Sequence, residues 1–283
     1  MLQKALKHDI RATLPIWLFL SAITLASSLI LGFSVRDMVL NSLKMDYIPI
    51  LPILGILLSV LVIVGYLIAA FIFVAVRFYQ NFFTDEGYLT FTLPVKRTTL
   101  FLSKVLSGCV FVFASIGVLL FTLVIAFTIS PTDAVDKTPL IVTVSEGMWN
   151  LFSMLFRNTD KPTLALQIVA VGALGAVFVV YQVLAIYLCV TVGSVMAKKW
   201  KVAAAILCYY VANVAVNLIT TVGQLLALIG ATPFWLVIST LSPTMAGLAV
   251  LLLLLIALGF LLVLTAGIYR GCTHLIEKKL NLA

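Results

Sequence analysis

The chain has 283 residues, of which 63% are apolar and only 10% charged. Soluble domains run at about 45–50% apolar and about 25% charged, and surface-to-volume scaling leaves too few interior places to hide so much apolar side chain. A mean hydropathy of +1.23 therefore excludes a soluble enzyme, a disordered chain and a secreted disulfide scaffold, and it assigns the net charge of +8 to the edges of a membrane protein and not to a nucleic-acid surface.

Residues 1–11 pattern as a basic interfacial helix. Leu2, Ala5, Leu6 and Ile10 fall on one face, and Lys4, Lys7, His8 and Arg11 on the other. A charge-free run over 12–35 follows. It is longer than the 7–15 residues, roughly, of a cleavable signal core, so it reads as an uncleaved first span. A crossing needs about 20 apolar residues for a hydrocarbon layer about 30 Å thick. By that measure spans are expected at 12–35, 50–76, 105–130, 163–196, 202–228 and 244–269. The last two come from one charge-free window, 202–269, of 68 residues. As straight helix it would reach about 100 Å, so it must cross twice, with Gly230, Pro233 and Pro243 as breakers.

The connection 77–104 between the second and third spans is unusual. Seven of its 28 residues are aromatic: Phe78, Tyr79, Phe82, Phe83, Tyr88, Phe91 and Phe101. A solvated loop does not carry that load, so the segment packs on the membrane surface or fits a partner. Thr84 is placed to cap a short helix with Asp85 and Glu86 in its first turn, where the helix dipole favours them. Pro94 ends that helix, and Thr98 or Thr99 caps the third span.

The outer connection 131–162 carries an amphipathic segment over 146–157. Met148, Leu151, Phe152, Leu155 and Phe156 make its apolar face, and Glu146, Asn150, Ser153 and Arg157 its polar one. Ser145 is the expected N-cap, and Trp149 suits the headgroup level. In the fourth span Gln167, Tyr181, Gln182, Tyr187 and Thr191 form no single stripe, while Gly172 and Ala176 have the spacing of close helix packing. In the fifth span Asn213, Asn217, Thr220 and Gln224 recur at helical spacing with Tyr210 beside them. Two readings of that stripe stand: it lines a cavity, or it joins helices by hydrogen bonds. Thr232-Pro233 and Ser242-Pro243 each pair a capping hydroxyl with proline, so each starts a helix. The first opens a short re-entrant element before the last span, which requires packing in protein or a wet cavity.

No expected span contains Asp, Glu, Lys, Arg or His. That removes the intramembrane carboxylates and histidines on which proton relays, aspartyl and metal-dependent intramembrane proteases and serine–histidine pairs depend. No catalytic residue, bound cofactor or metal site is expected. His8 and His274 stand far apart in sequence, and Cys109, Cys189, Cys208 and Cys272 read as small apolar residues. Six crossings put both ends on one side. Thirteen Lys and Arg fall on that side against five on the other, so both termini are expected in the cytoplasm.

The stretch 81–104, NFFTDEGYLTFTLPVKRTTLFLSK, and the tail at 277–282, EKKLNL, resemble the small six-span bacterial group of ABC-2-type transporter permeases. The rest of the chain is similar in layout only. The resemblance implies an all-α membrane protein with an interfacial helix, six spans, a cytoplasmic coupling helix and a re-entrant helix before the last span, as in type V exporters. It implies a permease subunit in a bacterial cytoplasmic membrane that moves a hydrophobic or amphipathic peptide, lipid or drug outward. The coupling helix would dock on a separate cytoplasmic ATPase through Thr84, Asp85, Glu86, Gly87, Tyr88 and Leu89, with Phe82 and Phe83 leading into them. Two permeases, identical or related, and two ATPase subunits would make the working unit, with ATP and Mg held by the ATPase. No G-x-x-x-x-G-K-[ST] occurs in this chain, as a split-subunit system requires. A peptide-sensing or immunity module keeps the same fold with a different task. A passive channel could use the fifth-span stripe without any ATPase, but would leave the aromatic connection unexplained.

Overall fold

The computed structural model describes residues 2–42, 49–84, 97–132, 138–156, 161–196, 200, 203–218, 221 and 243–278. Among them are seven helices and no strand: α1 (Leu2–Asn41), α2 (Ile50–Phe83), α3 (Arg97–Ile129), α4 (Leu140–Phe156), α5 (Lys161–Met196), α6 (Ala203–Leu218) and α7 (Pro243–Lys278). Five of them, α1, α2, α3, α5 and α7, are long and apolar enough to cross a membrane. The chain is an all-helical, multi-pass membrane protein. Of the expected fifth span, α6 supplies 203–218; apart from Thr221, residues 219–228 lie outside the described residues.

Proline sets several helix ends. Pro52, Pro162 and Pro243 sit in the first turns of α2, α5 and α7, where the missing amide would have had no partner in any case. The expected start at Pro243 is where α7 opens. Helix α3 stops at Ile129, just before Pro131, and α4 begins directly after Pro139. These two prolines form an isolated antiparallel bridge. It is closed by Thr132 N–H to the Thr138 carbonyl and Leu140 N–H to the Ser130 carbonyl, each 2.7 Å. The turn of chain between α3 and α4 is thus tied at its base.

The helices outrun the charge-free windows. The basic segment 2–11 is not a separate interfacial helix: α1 runs unbroken through it, through Pro15 and on past Arg36 to Asn41. The hydroxyl of Thr13 donates back to the Asp9 carbonyl at 2.8 Å within this stretch. Charge decides where a helix leaves the hydrocarbon, but the hydrogen-bond ladder continues until a capping residue or a proline stops it. Ser145 is likewise not an N-cap. It lies inside α4, which starts five residues earlier, and its hydroxyl donates to the Val142 carbonyl at 2.8 Å. Neither Thr98 nor Thr99 caps the third span, since α3 already begins at Arg97.

The chain forms two compact units, Met1–Val74 with Leu106–Leu155, and Ala75–Val105 with Phe156–Ala283. In the first, α1 packs through hydroxyls and glycines. Thr24, Ser27 and Ser28 are buried with their hydroxyls turned onto carbonyls of their own helix, which hides the polar atom and leaves a small contact surface. The Trp17 indole donates to Ser115 Oγ at 2.9 Å, and its ring lies 6.3 Å from that of Phe111. Gly32 faces Ile129, and Gly55 faces Ser34, closely enough that an added Cβ would collide. In the second unit α5 and α7 form the principal helix pair. Gln167 Nε2 donates to the Gly247 carbonyl at 2.8 Å across that pair, and the Gln167 Oε1 is buried without a hydrogen-bond partner. Helix α6 runs back along α5. A Cβ on Gly193 would lie 2.5 Å from the Ala205 Cα and N, so two backbones touch there.

Candidate functional site

Five of the seven aromatic residues of the 77–104 connection are among the described residues, Tyr88 and Phe91 lying outside them, and none of the five is exposed. On the last turns of α2 and the first turns of α3, Phe78, Phe82 and Phe101 are almost wholly buried and Tyr79 and Phe83 are half-buried. Their neighbours are rings. Phe78 stacks on Tyr187 of α5 with centroids 4.0 Å apart and planes 13° from parallel. Phe82 lies 5.0 Å from Phe78, and Phe101 lies 6.0 Å from Phe78 and 5.5 Å from Tyr269 of α7. Phe83 meets Phe78 edge-on at 6.0 Å and stacks with Tyr79 at 5.9 Å. Such pairs add about 0.5–1.5 kcal/mol each beyond the area they bury.

One polar bond lies beside this cluster. The Tyr187 hydroxyl donates to the backbone carbonyl of Lys104 at 3.1 Å. A buried tyrosine needs a partner for its hydroxyl, and this one finds it on α3 instead of on its own helix. The result is a clamp: the chain that enters the connection at Phe83 and the chain that leaves it at Arg97 are both held against α5, and through Phe101 against α7.

The expected docking residues divide accordingly. Phe82 is fully buried against Phe78 and Phe101, and it has no surface with which to touch a partner. Phe83 is half-buried. Thr84 is exposed, and its hydroxyl donates to the Gln80 carbonyl, so it closes the end of α2 where a cap for a following helix was expected. Asp85, Glu86, Gly87, Tyr88 and Leu89 lie outside the described residues. Sequence reasoning noted Tyr187 only as a polar residue without a stripe, and it did not mark Tyr269. The signal was present in their depth: each lies near the end of its span that adjoins a basic connection, level with the aromatic residues of 77–104.

Of the fifth-span stripe, α6 carries Tyr210, Asn213 and Asn217. Tyr210 is 69% exposed, Asn217 is exposed, and Asn213 is half-buried. The Asn213 amide donates to the Tyr209 carbonyl at 3.0 Å, and Asn217 accepts at its carbonyl from the Thr221 hydroxyl at 2.7 Å. Thr220 and Gln224 lie outside the described residues, as does the expected re-entrant element at 232–241. Tyr210 and Asn217 are open at the surface of α6, and Asn213 beside them is partly covered. That open surface suits either reading of the stripe.

The four cysteines are free thiols. Cys189 of α5 and Cys208 of α6 are hydrogen-bonded to one another, one turn from the Gly193–Ala205 contact, and Cys272 of α7 lies near Cys189. Among the described residues no group of three or more His, Cys, Asp or Glu is close enough to hold a metal ion. Comparison with protein families, with curated proteins and with solved structures yields no match to this chain.

Proposed function

We propose that this chain is the transmembrane permease subunit of an ATP-driven ABC exporter, carrying a hydrophobic or amphipathic cargo outward across a bacterial cytoplasmic membrane. The observation that supports it most is the ring clamp. A loop that only joined two spans would need no such anchorage. A loop that receives force does, because displacement of 85–96 reaches the spans only if its two ends are fixed to them. The stacked Phe78 and Tyr187, the Tyr187 bond to Lys104 and the Phe101–Tyr269 contact tie those ends to α5 and α7.

In this reading Thr84 to Leu89 dock on an ATPase of separate chain, which holds ATP and Mg. Closure of two ATPase subunits moves the two docked connections. The clamp passes that motion to α5 and α7, and a cavity between two permease subunits opens outward. Tyr210, Asn213, Asn217, Thr220 and Gln224 line the cavity. Uncharged amides and hydroxyls suit an amphipathic cargo, whereas a strongly charged one would find no counter-ion within the spans. Both termini are cytoplasmic.

The test uses the chain reconstituted with its ATPase in liposomes. Glu86→Lys reverses a charge in the docking segment, and Gly87→Pro fixes its backbone. Each is expected to lower cargo-stimulated ATP hydrolysis at least ten-fold, the loss of about 1.4 kcal/mol of coupling, while helix content and thermal unfolding stay unchanged. Full stimulation in both variants, or cargo movement by this chain with no ATPase present, refutes the proposal.

A further inference from the structure

At its basic end α1 presents a groove of about 460 Å³ lined by Leu6, Lys7, Ile10, Arg11 and Leu14. We propose that it binds one anionic glycerophospholipid, with the phosphate between Lys7 and Arg11 and the start of an acyl chain against Ile10 and Leu14.

The placement follows from helix length and spacing. Helix α1 has 40 residues, about 60 Å of helix, twice what a hydrocarbon layer of about 30 Å requires. Its two ends therefore stand beyond the acyl chains. Arg11 is the last charge before the uncharged run 12–35, which sets it at the boundary between headgroups and hydrocarbon, with Lys7 one turn further out. Both side chains are exposed. Residues four apart on a helix are neighbours, so the two cations converge on one phosphate-sized site. Asp9 lies two residues from each, about 200° around the helix, and does not face them.

The apolar side of the groove selects among anions. Ile10 is three residues from Lys7, and Leu14 is three from Arg11, so each cation has an aliphatic neighbour beside it where the basic and apolar faces meet. Leu14 is 40% exposed. A soluble acidic peptide would have to leave that leucine against water or cover it with its own apolar residue. A phospholipid supplies anion and hydrocarbon in one molecule and in the order the groove presents them, charge outermost and acyl chain toward the span. A basic helix end with an apolar flank is the pattern by which anionic lipid is recognised.

The experiment measures lipids retained by the purified chain in a neutral detergent, titrated with phosphatidylglycerol or phosphatidylcholine and read by native mass spectrometry. One tight phosphatidylglycerol per chain is expected, with phosphatidylcholine binding far more weakly. Lys7→Gln with Arg11→Gln should weaken phosphatidylglycerol about thirty-fold, each cation near an anionic lipid being worth about five-fold. Lys7→Arg with Arg11→Lys should keep it. Arg36→Gln with Arg270→Gln removes the same charge from exposed positions outside the groove and should leave binding unchanged. Equal retention of the two lipids overturns the proposal. So does an equal loss in the Arg36 and Arg270 variant, which would mean diffuse attraction to charge. Binding of soluble polyglutamate in preference to phosphatidylglycerol would also overturn it. Circular dichroism of each variant separates a lost site from a lost fold.

Discussion

In the first unit α1 meets α2 and α3 chiefly through hydroxyls and glycines, with Trp17 and Phe111 as its ring contact, whereas in the second the ends of α2 and α3 meet α5 and α7 through a cluster of rings. The contrast has a physical origin. In a bilayer no hydrophobic force separates helix from lipid, so helices associate through van der Waals contact and occasional interhelical hydrogen bonds. Small residues obtain that contact by letting a neighbouring side chain seat against the helix backbone, as Ile129 does at Gly32 and Ser34 at Gly55. Rings obtain it by stacking on one another between the helices. The first device gives a seam that tolerates loss and resists addition. The second gives a joint that tolerates little loss.

The largest expected effect is therefore on the ring joint. Phe78 touches Tyr187, Phe82, Phe83 and Phe101, and Phe78→Ala leaves a hole among them. A buried Phe→Ala change costs about 3–5 kcal/mol. Truncation of a hydroxyl in the other unit, Ser28→Ala, removes one atom already bonded to its own helix and should cost well under 1 kcal/mol. Reversible unfolding in mixed micelles measures both. If the two losses come out equal, the contrast between seam and joint is wrong.

Adding atoms reverses the order within one class of residue. A Cβ on Gly32 would sit 2.8 Å from the Ile129 Cβ, a side chain on a neighbouring helix, while on Gly193 it would sit 2.5 Å from Ala205 backbone. A Cβ is carried by its backbone and does not move with side-chain rotation, so at both sites a helix has to shift. Alanine gains about 0.8–1.0 kcal/mol of helix propensity over glycine. Gly32→Ala and Gly193→Ala are both expected to destabilise, by about 1–3 kcal/mol, with the larger loss at Gly193, where the added atom meets backbone itself. The same contact brings the hydrogen-bonded Cys189 and Cys208 into register. Mild oxidation should join them in wild type, while Gly193→Ala should slow that reaction by pushing α6 away. Unchanged cross-linking in the variant would show that α5 and α6 do not depend on this contact.

Much of the fold was legible in the composition. Uncharged windows marked the spans, and Pro243 marked the start of α7, because proline and charge act locally. The helix ends were less legible. Charge marked the membrane boundary at Arg11 and Arg36, but the backbone ladder of α1 ignores both. Ser145 offered a cap that a longer α4, opened by Pro139, did not use. At the candidate site, the density of phenylalanine in 77–104 was plain, but its consequence was not. Whether a ring faces lipid, water or another ring depends on which helices return beside it. Tyr187 and Tyr269 come from spans about 80 and 165 residues beyond the connection, a non-local pairing that no local pattern encodes.

The smallest expected effect tests the side-chain bond between Trp17 and Ser115, which joins two helices of the first unit. Trp17 Nε1 donates to Ser115 Oγ, which itself donates to the Phe111 carbonyl at 2.8 Å. An interhelical bond of this kind averages about 0.6 kcal/mol in membranes, because the separated helices find other partners. Ser115→Ala leaves the indole N–H without its acceptor, while Trp17→Phe leaves Ser115 bonded to its own helix but thins the contact with Phe111. The single losses therefore differ, and only the double-mutant cycle isolates the bond. A coupling near 0.6 kcal/mol keeps the first unit a seam held chiefly by close approach. A coupling of 2 kcal/mol or more would mean that it is pinned at one point, as the second unit is at Tyr187, and that the two units differ in their residues but not in their design.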